Sequence, residues 1–301
     1  MAGKIQIPDE LKKDLPPSKW GKILGATPIV MTVVATMLAG LASSEMTRAQ
    51  YDRSAAAQLQ SKAGDQWGYY QAKKLRSAVA HNSLDMLVAT SELKPLDAAV
   101  LQNADAATVA AFLKNKLPAA TLPKFDDNVQ AALDALENSK PEPEIAAALA
   151  KTTDAMLSDS LVAAQKAAND FDSATKPINK DSDKLDEQLM SRDKNGAFDQ
   201  AVFRDFTAAR LCYTAARYDA ESKLNATVAG IYELQVRKGN ISAERHHRRS
   251  GKFFYGMLAA QMGVIIATFA IAARQRNFLW SVAAVAGLTA VSFAAYVYFC
   301  V

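Results

Sequence analysis

An all-α integral membrane protein, with three transmembrane helices and a long antiparallel helical stalk capped by short helices, is the fold class this sequence predicts. Three observations predict it. Three stretches of about twenty residues or more are free of charge, long stretches between them lack both Gly and Pro, and two polar segments repeat apolar residues at spacings of three and four. The composition agrees, being rich in Ala, Leu, Gln, Lys, Asp and Glu and poor in alternating β-branched runs. Mean hydropathy is only −0.07 because the excess apolarity is confined to those three stretches.

A tail at 1–22 precedes the first charge-free run, 23–42. Twenty helical residues rise about 30 Å, the thickness of a bilayer's hydrocarbon core. Signal-peptide apolar regions run about 7–15 residues, so this segment reads as a retained anchor. The second run, 253–273, stops at Arg274 and Arg276, and the third covers 278–301. Only four residues separate them, which predicts a tight helical hairpin. Trp280, the Phe253-Phe254-Tyr255 run, Tyr296, Tyr298 and Phe299 sit where interfacial aromatic residues belong. Gln261 is the only strongly polar side chain in the spans, and no ionisable group lies within them, which argues against a transporter or channel built from one copy.

Flanking charge is almost balanced. Lys4, Lys12, Lys13, Lys19 and Lys22 of the tail share a side with Arg274 and Arg276. Opposite stand Arg48, Arg53, Arg237, Lys238, Arg245, Arg248, Arg249 and Lys252. The first helix usually dominates and large domains translocate largely regardless of charge, so the tail and turn are expected in the cytoplasm and the large domain outside.

Residues 43–252 form the helical extramembrane domain. Up to residue 251 it carries 27 Lys and Arg against 28 Asp and Glu, a poor electrostatic match for nucleic acid. Only Gly64 and Gly68 interrupt 43–93, so the first span is expected to continue outward as one helix. Pro95, Pro118, Pro123, Pro141 and Pro143 then divide the chain into short helices, among them 106–117 and 126–138, the latter capped by Asp126 or Asp127. A helix over 144–175 is expected to end at Pro177, followed by a polar stretch at 180–196. A second long helix begins near Phe198 and runs to about 238, with 240–250 connecting it to the second span. Ala56, Leu59, Ala63, Trp67 and Tyr70 on one long helix match Phe206, Ala209, Tyr213, Ala216, Ala220 and Leu224 on the other. Both helices root in the membrane, so they must run antiparallel as a coiled-coil-like stalk, with 95–196 as its cap.

The most distinctive run is Asp65-Gln66-Trp67-Gly68-Tyr69-Tyr70-Gln71-Ala72-Lys73-Lys74. Together with Arg245-His246-His247-Arg248 ahead of a C-terminal hairpin, it resembles an uncharacterised bacterial inner-membrane family known only as a numbered domain of unknown function, of the 4337 type. The resemblance covers about 43–90 and 225–301, while 95–196 looks longer than that family requires. It implies a three-span protein of the bacterial inner membrane, the large domain then being periplasmic, and supplies no activity.

Physically, the box offers hydrogen-bonding groups and aromatic bodies on several helix faces at once. It is either a partner or ligand contact centred on Trp67, Tyr70 and Lys74, with Asp65, Gln66, Tyr69 and Gln71 beside them, or a polar-aromatic lock fixing the stalk's register. His246 and His247 diverge by about 100° on a helix and do not readily share a metal ion. With Arg245, Arg248, Arg249 and Lys252 they read as a basic collar at the bilayer surface, facing solvent or anionic headgroups. Gly256/Ala260, Gly263/Ala267 and Ala283/Gly287 form small-x-x-x-small pairs, suited to close helix packing within the membrane or between copies.

No cofactor or metal is expected. Two cysteines exclude a disulfide framework, and three histidines without a cysteine cluster argue against zinc. Asp181, Asp183, Asp186 and Glu187 lack the turn glycine of a calcium loop. Cys212 has no base at nearby helical spacing, and His81 stands alone on its helix. No phosphate-binding glycine loop or nucleophile elbow occurs. The expected function is therefore a non-enzymatic membrane scaffold or accessory subunit, a homo-oligomer or part of a larger membrane complex, with the bilayer as its medium. A transmembrane signalling or sensing module is the alternative.

Overall fold

The computed structural model describes residues 19–190, 199–272 and 276–300. Lys4, Lys12, Lys13, Phe198 and Arg274 lie outside them, as do the end of the polar stretch and most of the hairpin turn. The side chains of Lys19, Lys22, Arg276 and Tyr298 are likewise not described.

Every described element is helical: α1 (Lys19–Thr90), a 3-10 turn (Ala98–Leu101), α2 (Ala106–Lys114), α3 (Asp127–Glu137), α4 (Glu142–Leu149), α5 (Asp154–Met190), α6 (Gln200–Ala272) and α7 (Arg276–Cys300). α1, α6 and α7 are long and apolar enough to cross a membrane. The chain divides into two units, one of 1–55 with 239–301 and one of 56–238.

In the first unit, Met31, Ala35, Leu38 and Ala42 of α1 pack with Phe253 and Ala260 of α6 and with Ala290 and Val297 of α7. Larger apolar side chains such as Met37, Phe269 and Leu288 point outward and are 64%, 66% and 68% exposed. Small residues inside and bulky ones outside suit a lipid environment, where association depends on close backbone approach rather than on hydrophobic collapse. Pro28 lies within α1. The Thr32 hydroxyl donates to the Pro28 carbonyl at 2.8 Å.

The connector expected at 240–250 is helical, and α6 runs unbroken for 73 residues. Gly239 costs a helix only about 1 kcal/mol, and there is no proline nearby to stop it. The segment is also held from α1: the Ser250 hydroxyl donates to the Ala42 carbonyl at 2.8 Å, and His246 pairs with Glu45.

In the second unit, α1 and α6 run antiparallel. Lys73 pairs with Glu221, the Ser77 hydroxyl donates to the Ala215 carbonyl at 3.1 Å, and the Lys94 amide donates to Asp205 at 3.0 Å. Along α1 the buried positions Ala56, Ala63 and Ser77 fall at multiples of seven, the spacing that keeps one seam facing a partner helix.

A third long helix belongs to this unit. The helix expected over 144–175 is instead two, broken at 150–153, and α5 continues through Pro177 to Met190, absorbing the first half of the polar stretch. An interior proline costs about 3 kcal/mol. Burial on both sides of it offsets that cost, because Phe171, Thr175, Ile178, Ser182 and Leu185 repeat at three and four and all lie inside. α5 runs antiparallel to α6. The Gln165 amide donates to the Tyr232 hydroxyl at 2.9 Å, the Tyr213 hydroxyl donates to Asn179 at 2.9 Å, and Arg210 pairs with Asp186 at 2.8 Å. Burial pushes the Tyr213 phenol up to about 12, so it stays a donor at any physiological pH.

The short helices are set by their caps. The Asp126 carboxylate accepts from the Asn128 amide at 2.9 Å, as an N-cap should, starting α3 one residue later than the expected 126. α2 ends at Lys114, before the expected 117, because Asn115 takes a left-handed conformation with φ 49°. At the start of α2 the cap comes from another helix: Asp181 of α5 accepts from the Asp105 amide and the Thr108 hydroxyl, each at 3.1 Å. The Asp105 amide, helped by Thr108 and Lys184 and opposed by burial, holds the Asp181 carboxyl below the ordinary carboxylate range. A depressed folded-state value means stabilisation present above pH about 4 and lost as pH falls through that folded value. Asp181→Asn is therefore expected to flatten acid destabilisation in unfolding curves recorded between pH 6 and pH 2.

Candidate functional site

The Asp65–Lys74 box sits in the middle of α1, and helical geometry spreads it over several faces. Trp67 and Tyr70, three residues apart, meet edge to face with ring centroids 5.5 Å apart. Lys74 reaches α6, its ammonium 3.2 Å from Asp219. Gln66, Tyr69 and Lys73 line a cavity of about 220 Å³ with Asp172 of α5 and Glu221 and Asn225 of α6. Asp65 and Gln71 are exposed. Lys73 and Lys74 thus tie α1 to α6, while Trp67 and Tyr69 line two separate hollows.

Trp67 borders the larger hollow, a cleft of about 600 Å³ between α1, α3, α4 and α6. Its lining mixes apolar side chains, Leu122, Pro123, Phe125, Leu133, Leu136 and Ile145, with the charged Glu137, Lys140, Glu142, Glu233 and Arg237. The geometry follows from local features. Gly230 lets α3 approach α6 closely, since a Cβ there would lie 3.2 Å from Leu133 Cδ2. Pro141 sits at the N-cap of α4, placing Glu142 in its first turn. Arg237 ties α6 to α4 across the cleft lining, bonding Glu233 at 2.8 Å one turn back on α6 and Glu142 on α4. The Glu233 hydrogen bond, with Glu142 adding to it and burial opposing, raises the Arg237 guanidinium above its ordinary value. With three acids and two bases among its lining residues, the cleft carries one surplus negative charge. The Trp67 indole N–H has no hydrogen-bond partner among the described residues, so it remains available to an occupant.

Composition did not single out Glu233, Arg237, Glu142 or the leucines of α3. A Glu at i with an Arg at i+4 was the only local signal, and such pairs are common on solvated helices.

The basic run divides by helix face. His246 turns toward Glu45 of α1, Arg248 pairs with Glu244 one turn back at 2.9 Å, and His247 and Arg245 are exposed. Lys252 lies over the Tyr296 ring of α7, 4.3 Å from its centroid. Arg249 is partly buried, with its Nε unpartnered.

All six small residues of the membrane segments lie at contacts within the chain. Ala260, Ala267 and Ala283 are at most 1% exposed. A Cβ on Gly256 would stand 3.3 Å from both Leu38 Cδ1 and Phe293 Cβ, and one on Gly287 would stand 3.0 Å from Met31 Sδ. A Cβ on Gly263 would overlap the Met31 methyl. Gly256→Leu is expected to destabilise the first unit by about 1–3 kcal/mol through overpacking. Gly40→Leu, with nothing within 4 Å, serves as the control in thermal melts in mild detergent.

The class defined by these features is an all-helical protein with three candidate membrane-spanning segments and an amphipathic cleft outside them. A family model described as Domain of unknown function (DUF4337) matches residues 20–120, a third of the chain, which include the Asp65–Lys74 box. The Arg245–Arg248 run and the hairpin lie outside that match. No curated protein and no solved structure matches the chain.

Proposed function

We propose that the chain is a non-enzymatic, membrane-anchored scaffold or accessory subunit that binds a partner polypeptide or a second copy of itself. The observation that carries this reading is the Trp67 cleft, whose mixed apolar and charged lining suits an apolar side-chain cluster flanked by polar residues. The apolar segments would anchor it in the bacterial inner membrane, with the tail cytoplasmic and residues 43–252 periplasmic. The inward use of Gly256, Gly263 and Gly287 favours a complex joined through the extramembrane helices rather than through those glycines.

Native mass spectrometry in mild detergent is expected to show species heavier than one chain, reduced by the Trp67→Ala/Leu136→Ala double substitution. A strict monomer with no copurifying partner from native membranes would sink the proposal.

The continuity of α1 over 72 residues and α6 over 73 favours a second reading, a signalling module in which a helix shift passes along an unbroken backbone. It needs the large domain inside the cell, which cysteine-accessibility labelling decides.

A further inference from the structure

Three cations of α6, just before its apolar run, have no carboxylate partner among the described residues. Arg245, Arg249 and Lys252 are spaced four and three apart, which sets them on one helix face. None forms an ion pair among the described residues, whereas the neighbouring Arg248 and His246 both do. Arg249 has a buried Nε with no hydrogen-bond partner, and a buried guanidinium N–H left unmet is costly. Lys252 extends across to α7 and rests over the Tyr296 ring.

Tyr296 is also the end of a hollow of about 390 Å³ that runs along α7, lined by Val285, Leu288, Thr289, Ser292, Phe293 and Tyr296. Leu288 and Val285 are 68% and 62% exposed, so the hollow opens outward from the helices. An apolar trough some three helical turns long thus meets unneutralised positive charge at the edge of the membrane segment.

We propose that this trough and the Arg249–Lys252 pair form one binding site for an anionic phospholipid, with an acyl chain along α7 and the phosphate between the two cations. The apolar trough selects a lipid over a free phosphate, and the unmatched charge selects an anionic headgroup over a zwitterionic one. The Tyr296 hydroxyl, at the trough's rim, adds a donor at headgroup depth. The site rests on the membrane anchoring proposed above and is independent of any partner at Trp67.

The test uses the full chain purified in mild detergent and titrated with phosphatidylglycerol or with phosphatidylcholine of the same acyl chains, read by native mass spectrometry. Phosphatidylglycerol should be retained preferentially, and Lys252→Gln and Arg249→Gln should each weaken its retention roughly fivefold. Leu288→Trp, filling the trough, should weaken both lipids without altering the charge. Arg248→Gln, whose residue already has an acidic partner, should change nothing and controls for net charge. Equal retention of the two lipids by the native chain, or unaltered retention in the Lys252→Gln/Arg249→Gln double variant, would overturn the site. Inorganic phosphate displacing the lipid completely would overturn it in favour of a free-anion site. Because the comparison between the two lipids uses the unmutated chain, a variant that fails to fold leaves the proposal decidable. A chain that stays soluble without detergent would overturn the anchoring itself, an outcome distinct from equal lipid retention in detergent.

Discussion

Phe206→Ala is expected to lower the thermal midpoint of the full chain by about 10 °C, from a loss of about 3–5 kcal/mol. Phe206 is completely buried where α6 meets α2 and α5, in a cluster with Leu101, Ala111, Phe112, Ile178, Leu185 and Tyr213. Phe112 stands edge-on to both Phe206 and Tyr213, with centroids 5.8 and 5.4 Å away. Removing the Phe206 ring leaves a cavity among packed helices that cannot fully close. It also removes the face over which the Arg210 guanidinium lies, 5.9 Å from the centroid. Phe206→Leu, which keeps most of the volume, should cost less than half as much. Circular dichroism melts in mild detergent check both, and a Phe206→Ala midpoint within 2 °C of native would refute the packing described.

The second large effect is expected at Glu221, the buried carboxylate that Lys73 and Arg217 approach. Glu221 is 6% exposed, with Lys73 beside it and the Arg217 guanidinium 3.7 Å away. Both cations also lie over the Tyr218 ring, at 5.3 and 4.4 Å. Truncating the carboxylate leaves two positive groups facing each other without an anion. Breaking a fully buried pair costs about 3–5 kcal/mol; because Lys73 retains a quarter of its exposure, Glu221→Ala should cost about 3 kcal/mol. The double substitution Lys73→Met/Glu221→Leu should recover much of that, since an apolar pair of similar volume needs no neutralisation. Denaturant unfolding of the native chain, Lys73→Met, Glu221→Leu and the double variant checks the coupling. Additive losses would show that the ion pair contributes nothing to the α1–α6 contact.

Much of this architecture was legible in the chain, and for particular reasons. Charge-free runs of the right length mark the apolar segments because a helix uncharged on every face must be buried all round, and about twenty residues match a bilayer's thickness. The antiparallel pairing of α1 with α6 followed from topology once both helices adjoined such runs. Asp126 announced the start of α3 because its carboxylate meets the unpaired first-turn amides locally. The proline at 177 misled, since its cost is local and fixed while the compensating burial of Phe171, Ile178 and Leu185 depends on helices far away in sequence. The glycine at 239 misled for the same reason: Ser250, bonded to the Ala42 carbonyl more than two hundred residues away, helps keep α6 helical beyond it.

The candidate site was half legible. Trp67 and its neighbours stood out by residue type, yet nothing nearby says which face of α1 borders a cleft. Arg237 and Glu142 lie far apart in the chain, and only the packing of α4 against α6 brings them together.

By itself the sequence determined what depends on composition and local spacing: helical class, three membrane-length apolar segments, a nearly neutral domain and the Asp126-capped start of α3. Tertiary structure alone decided that α5 continues through Pro177, which cations lack partners among the described residues, and that an amphipathic hollow opens beside Trp67. These depend on which distant side chains fill or fail to fill a space, a property of pairs of residues that no single stretch of chain encodes.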